Sequence, residues 1–347
     1  KINIVPKNKY FMNFNDNFIL GKSDPKNKNF DVLVFARRDI QNVFIPKFIR
    51  KIGSYAFNEC KQIKNVEIPN NSELQSIDKY AFSISTIESI TIPKSLQSIG
   101  KCAFLCCNNI QNVDIPTNSD LKIIGKKAFI CSIKSIFIPK HVTKICEYAF
   151  SQSYFLKNID IANNSELKII ENFAFSEATI EKFTLPPSVE IIGKNCFYLC
   201  KKLKQCEIDV DSKLRIIDED AFAHSNIECI TIPSGLVELK KGWCFYAKNI
   251  VHINVMPNND LFSNYENNFI LKKSSIEQEN YDVLVFCVRN AKKASIPYYI
   301  KIIDSCAFQE CKNIRFIDFQ PNSQLQKIEH YAFSESSIES INIPSHC

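Results

Sequence analysis

Glycine is scarce in this 347-residue chain: seven in all, beside two methionines and one tryptophan. So few glycines leave little room for phosphate-cradling loops, and no G-x-S-x-G, H-E-x-x-H or phosphate-loop motif occurs. A strong charge of one sign is also lacking. The formal net charge of +6 is small at this length and argues against a dedicated nucleic-acid binder. No apolar run approaches the roughly 18 residues of a membrane span, and no signal-peptide pattern follows Lys1, so no membrane insertion is expected within this segment. Core-forming residues are not lacking. At 45% hydrophobic and 23% charged, the chain has the composition of a soluble protein that buries a core.

An internal repeat organises that material. An Ala-Phe pair, or a close variant, recurs with its Phe at positions 57, 82, 104, 129, 150, 175, 197, 222, 245, 308 and 333. The longer coil reads Ala56-Phe57-x-x-Cys60-x-x-Ile63-x-x-Val66-x-Ile68-Pro69-x-Asn71-Ser72-x-Leu74-x-x-Ile77. The shorter reads Ala81-Phe82-Ser83-x-Ser85-x-Ile87-x-x-Ile90-x-Ile92-Pro93-x-Ser95-x-x-x-Ile99-Gly100. Ile63, Val66 and Ile68 have the spacing of a short strand entered from a turn, and the proline that follows removes a ladder donor and stops it. A coil of this size cannot bury its apolar face alone, whereas stacked copies form a continuous core.

A larger period lies on top. Shifting by 251 residues superposes Phe18-Ile19-Leu20 on Phe269-Ile270-Leu271 and the string Asp31 to Phe35 on Asp282 to Phe286. The chain is therefore expected to be a single repeat array over 1–347. Irregular hairpin-bearing segments fall at 7–45 and 258–296, with regular coils at 46–257 and 297–347. Because the pattern is cut at both ends, the sequence reads as a segment of something longer.

The strings Ile-Pro-x-Ser-x-x-x-Ile-Gly-x-x-Ala-Phe-x-x-Cys and Asn-Ser-x-Leu-x-x-Ile-x-x-x-Ala-Phe-Ser resemble the BspA-like leucine-rich repeats of the Treponema type. The Asn/Lys/Ile bias and the segment Tyr281 to Phe286 look similar to the BspA-like surface antigens of trichomonad protists. The resemblance covers nearly the whole chain. It departs from the family pattern where Ile replaces Leu and where Ala162 and Asp209 replace the strand-ending Pro. It implies a leucine-rich-repeat solenoid, mostly β, with a parallel sheet on the concave face and short irregular or 3-10 convex segments. It also implies a cell-surface or extracellular module that adheres to a protein or glycoprotein ligand of a host surface or matrix. An intracellular protein–protein scaffold, with cytoplasmic placement, is the alternative. An enzyme is the weakest reading, and no cofactor is expected.

Fifteen cysteines invite other readings. Three residues after the marked Phe, the column Cys60, Ser85, Cys107, Ser132, Ser153, Ala178, Cys200, Ser225, Lys248, Cys311, Ser336 is mostly small, as a tight inward turn requires. Cys102, Cys106 and Cys107, or Cys196 with Cys200, are not followed by a second ligand pair at zinc-finger spacing, so no metal site is expected. Cys106 and Cys131 both stand two residues after the mark in adjacent coils, which makes them a candidate disulfide. The histidines His141, His224, His252, His330 and His346 share no column. Gly53, Gly100, Gly125 and Gly193 each precede the marked Phe by four, which points to positive φ or close packing there. Asn70-Asn71-Ser72 and Asn163-Asn164-Ser165 match glycosylation sequons, as an Asn-rich chain does by chance.

The candidate binding residues are the outward positions of the strands. Two before the Pro stand Glu67, Thr91, Asp114, Phe137, Asp160, Thr184, Glu207 and Thr231; four before it stand Asn65, Asn112 and Asn158 among others. Alternating an acid with Thr holds carboxylates about 9.6 Å apart and avoids like-charge neighbours. That spacing serves the sheet itself, and it equally builds an extended polar face for a protein partner. Phe137, an aromatic among polar positions, is a candidate anchor.

Overall fold

The computed structural model describes residues 4–26 and 28–345. His346, and Asn27 of the first hairpin loop, lie outside the described residues. Among the described residues every regular element is a β-strand, and the remainder is irregular turn. The chain divides into two compact units, Lys1–Ile180 and Glu181–Cys347.

In the first unit each coil carries two short strands. The first set is Asn42–Phe44, Asn65–Glu67, Ser89–Thr91, Asn112–Asp114, Ser135–Ile138 and Asn158–Ile161. Its three-residue members bury the middle side chain (Val43, Val66, Ile90, Val113) and turn the flanking ones outward. The strands pair parallel and in register, Asn42 with Asn65, Val43 with Val66, Ser89 with Asn112. Hydrogen bonding is interrupted once, between Asn112–Asp114 and Ser135–Ile138. The second set, Lys51–Ile52, Ser76–Ile77, Ser98–Ile99, Ile123–Ile124, Lys144–Ile145 and Ile169–Ile170, forms a parallel sheet of two-residue strands. Between the two sets runs the Asn-Ser-x-Leu turn. The hydroxyls of the buried Ser72 and Ser119 and the half-buried Ser165 there accept hydrogen bonds from the N–H groups of Leu74, Leu121 and Leu167 at 3.1–3.2 Å.

The Ala-Phe turn closes each coil. Phe57, Phe82, Phe104, Phe129, Phe150 and Phe175 are fully buried and stack face to face, with centroids 4.9–5.4 Å apart and planes within 7°. From Phe57 to Phe150 each Phe N–H donates to the Ala carbonyl of the next coil, as in Phe57 to Ala81 and Phe104 to Ala128. The turn is left-handed two residues before and two after the Phe: Tyr55 and Glu59 have φ of 62° and 57°, and Tyr80 and Ile84 both 58°. Non-glycine residues in this region cost on the order of 1–3 kcal/mol each, offset here by inter-coil bonds such as Glu59 N–H to Ser83 O at 2.9 Å. Of the two explanations for the recurring glycine, close packing holds at three of its four positions. A Cβ on Gly100 or Gly125 would come within 2.7 Å of backbone in the preceding coil, and one on Gly53 within 2.9 Å of the Leu33 carbonyl.

The second unit repeats the plan. Lys182–Leu185, Gln205–Ile208, Cys229–Ile232 and His252–Val255 pair parallel, as do Ile191–Ile192, Ile216–Ile217 and Glu238–Leu239. One assignment changes. The mark expected at Phe245 belongs to Cys244, because the Phe222 N–H donates to Trp243 O and the left-handed residues are Gly242 and Tyr246. Trp243 fills the Ala slot and Cys244 the Phe slot, both buried, so the large and small side chains trade places. Ala247, not Lys248, then occupies the small inward slot.

Both irregular segments are modified coils. Met12–Phe14, Phe18–Gly21 and Val32–Ala36 form an antiparallel meander whose last strand runs parallel to Lys51–Ile52. Phe262–Tyr265, Phe269–Lys272 and Val283–Cys287 repeat it beside Ile302–Ile303, with the register shift at the equivalent place. The hairpin expected from sequence thus carries one further strand. Its loop is tied at the base, where Asp31 accepts from the Ser23 N–H and hydroxyl at 2.8 and 2.6 Å, and Asp282 does the same for Ser274. Phe18 packs edge-on against Phe57, and Phe269 against Phe308, which closes one end of each ring stack. Replacing Phe104 by Ala should cost about 3–5 kcal/mol in urea unfolding, whereas Ala at the exposed Phe155 should cost no more than about 0.5.

Candidate recognition face

The outward residues of the longer strands form two columns on one face of each unit. In the first unit Asn65, Glu67, Thr91, Asn112, Asp114, Asn158 and Asp160 are exposed, and Phe137 is half-buried beside Asp160 in the paired register. In the second, Thr184 and Glu207 are exposed and Thr231 is half-buried. Parallel, in-register pairing places each column as a straight ladder, so residues distant in sequence stand side by side. The Asn65 side-chain amide donates to the Asn42 side chain at 3.3 Å, extending the asparagine rungs.

The two units differ in how their acids are neutralised. Glu207 accepts from Lys182 at 2.7 Å and from the Thr184 hydroxyl at 3.1 Å. The Lys182 hydrogen bond holds its carboxyl below the ordinary glutamate value. Glu67, Asp114 and Asp160 have no cationic partner among the described residues. The first unit therefore presents uncompensated carboxylates on a rigid scaffold, two rungs apart between Glu67 and Asp114.

Concavities flank the ladder. One of about 510 Å³ is lined by Thr91, Lys94 and Asp114 with the strand-ending Pro93 and Pro116. Another of about 300 Å³ lies between the first hairpin and the ladder, bounded by Phe14, Phe18, Asn42 and Phe44. Phe44 is 54% exposed and pairs with Glu67, so the outward column begins with an aromatic that sequence reasoning missed. Phe316, 58% exposed, is a second missed aromatic, at the position 251 residues beyond Asn65. The signal for Phe44 was its place two before Pro46, and that for Phe316 was the 251-residue shift from Asn65.

The cysteine column behaves as small buried filler. Cys60, Cys107, Cys200 and Cys311 are fully buried, and the Cys107 thiol donates to the Phe82 carbonyl at 3.0 Å. Burial pushes the Cys107 thiol up to about 12. Cys106 and Cys131 are in different columns. The coil is one residue short between Phe129 and Ile133, so Cys131 drops into the buried inward slot while Cys106 stays exposed at a left-handed turn. Both thiols are free. Among the described residues no group of three or more His, Cys, Asp or Glu could hold a metal ion, and no helix is long and apolar enough to cross a membrane. Asn70, Asn163 and Asn164 are exposed, but the sequon serine Ser72 is committed to its turn.

Stacked coils with parallel strand columns define a β-solenoid of the leucine-rich-repeat class. The chain belongs to the BspA type leucine rich repeat region family, whose profile matches residues 28–157, 122–252 and 280–347 in six copies. Among solved structures, a leucine-rich repeat protein from Bacteroides ovatus is similar at 20% identity and TM-score 0.62, over 96% of this chain and 90% of that one. A leucine rich cell surface protein from Faecalibacterium prausnitzii is similar at 17% identity and TM-score 0.52, over 92% and 74%. The pneumococcal vaccine antigen PcpA is similar at 19% identity and TM-score 0.52, over 97% and 70%. Identities at this level establish the fold alone. No curated protein matches the chain.

Because the folded carboxyl of Glu207 is lowered, its contribution to stability is present above the ordinary glutamate range and is lost as pH falls through the lowered value. Lys182 and Glu207 are each about half exposed, so the effect is small and salt-sensitive. Carboxyl NMR titration should find the Glu207 midpoint moving up in Lys182→Ala.

Proposed function

We propose that this chain is a non-catalytic binding module displayed at a cell surface, gripping a protein or glycoprotein of a host surface or matrix through the ladder face of its coils. The observation that carries the reading is the set of unpaired carboxylates in the first unit, Glu67, Asp114 and Asp160, held at fixed spacing beside the aromatics Phe44 and Phe137. A cationic patch on the partner complements those charges, and aromatic anchors at such a face supply the desolvated contacts. Two structurally similar proteins are described as a cell surface protein and a vaccine antigen, which supports surface display. A rival reading, an intracellular scaffold, draws on one observation. All 14 described cysteines are free and most are buried, as in proteins of a reducing compartment.

The test is a binding screen of the chain against host-surface and matrix proteins, repeated with Asp114→Asn/Asp160→Asn and with Phe137→Thr. Affinity for a basic ligand should fall by about tenfold or more in the double variant, with a flatter salt dependence. Unchanged binding in both variants would remove the ladder from the site. Capture of cytosolic proteins only would favour the scaffold.

A further inference from the structure

Arg289 is a buried cation with no carboxylate beside it. It is 4% exposed, and its side chain contacts three main-chain carbonyls, Cys287 O, Ala307 O and Cys306 O, at 3.1–3.5 Å. Its guanidinium lies 4.2 Å from the centre of the Phe286 ring, and its Nε has no partner. A guanidinium keeps its proton in proteins, so a buried one needs a counter-charge or a dense set of acceptors. The remaining neighbours are thiols: Cys311 Sγ at 3.8 Å and Cys244 Sγ at 4.0 Å.

The 251-residue shift supplies an internal comparison. Arg38 stands where Arg289 does, donates to Ala36 O and Ala56 O, and lies 3.5 Å from Cys60 Sγ, the counterpart of Cys311. The arginine–thiol contact is therefore built twice. The second copy has further thiols: Cys244 reaches the arginine, and Cys287 replaces the small residue of the first copy, Ala36. Cys287 Sγ lies 3.5 Å from Val288 O and Cys311 Sγ lies 3.9 Å from the same oxygen, so the two sulfurs converge on one atom.

We propose that Cys287 and Cys311 are a redox-active thiol pair, poised by Arg289, which a hydroperoxide converts into a disulfide tying the second hairpin segment to the coil that follows it. Arg289 Nη1 lies 3.8 Å from Cys311 Sγ, so its charge stabilises a thiolate there. Cys311, the thiol this guanidinium reaches, is the attacking sulfur, and Cys287 is the resolving one. The Cys311 thiolate attacks the hydroperoxide; an S–O bond forms, the O–O bond breaks, and the departing oxygen leaves as hydroxide or alkoxide and is protonated. Cys287 then attacks the sulfenic sulfur; the S–S bond forms, the S–O bond breaks, and hydroxide leaves with the Cys287 proton as water. Each sulfur loses one electron and the hydroperoxide gains both. Because both thiols are buried, the oxidant enters during local opening of the hairpin segment.

The test treats the full 347-residue chain with hydrogen peroxide, alkylates it under denaturing conditions, digests it without reductant and maps the peptides by mass spectrometry. A Cys287–Cys311 cross-link reversed by dithiothreitol is expected. In Cys287→Ala, which installs the first copy's residue, the link is absent and dimedone traps Cys311 as sulfenic acid. In Arg289→Gln, linkage slows by about tenfold while the circular dichroism spectrum is kept. Both thiols recovered alkylated and unlinked in the oxidised wild-type chain would overturn the proposal, as would linkage at the wild-type rate in a folded Arg289→Gln. The wild-type map decides the matter even if that variant does not fold.

Discussion

Hydrogen bonds from each coil to the same position of the next are the constraint on which the rest of the fold depends. With no helix among the described residues and strands only two to five residues long, no coil satisfies its own backbone. The Phe N–H to Ala carbonyl bonds fix the coils at zero offset, from Phe57–Ala81 through Phe150–Ala174 in the first unit and at Phe197–Ala221 and Phe308–Ala332 in the second, and the Ala36 N–H makes the equivalent bond to Ala56. Zero offset places like residues over like. Phenylalanine rings then stack at the strand spacing, and serine and cysteine fill inward slots that admit nothing larger. Glycine survives where backbones of adjacent coils touch, as at Gly100 and Gly125. The left-handed turns instead carry Tyr, Glu and Ile, whose side chains extend outward and in places stack, as Tyr55 does on Tyr80 at 5.0 Å.

The same constraint makes the recognition face. Any outward residue is repeated as a column, so a sequence choice at one position becomes a linear array of chemistry. Alternation of acid and threonine is first a way to keep carboxylates apart in a parallel sheet. It becomes a recognition device in the first unit, where Glu67, Asp114 and Asp160 are left without cations, and less so where Lys182 neutralises Glu207.

Much of this was legible from the sequence, because a repeat turns one-dimensional spacing into three-dimensional columns. The coil length, the Phe marks, the strand-ending prolines and the outward columns all follow from residue spacing. The exceptions share one cause: a coil whose local sequence mimics the repeat while its register differs. Phe245 carries the right residue type, but Trp243 and Cys244 take the core slots. A single missing residue after Phe129 sends Cys131 inward and separates it from the column of Cys106. Contacts that cross an irregular segment, such as Arg289 with Cys244 45 positions away, leave no periodic trace at all. The loop ties of Asp31 and Asp282 repeat only at the 251-residue period, which marks the residues but not their contact with Ser23 and Ser274.

Native-state hydrogen exchange on the free chain tests the central claim most directly, since it reads the inter-coil bonds one amide at a time. The account predicts that the N–H groups of Phe57, Phe82, Phe104, Phe129 and Phe150 exchange only through opening that separates whole coils, with closely similar protection along the stack. If these amides exchanged as fast as those of the exposed Asn-Ser turns, the in-register hydrogen bonding between coils would be contradicted, and with it the placement of every column on the face.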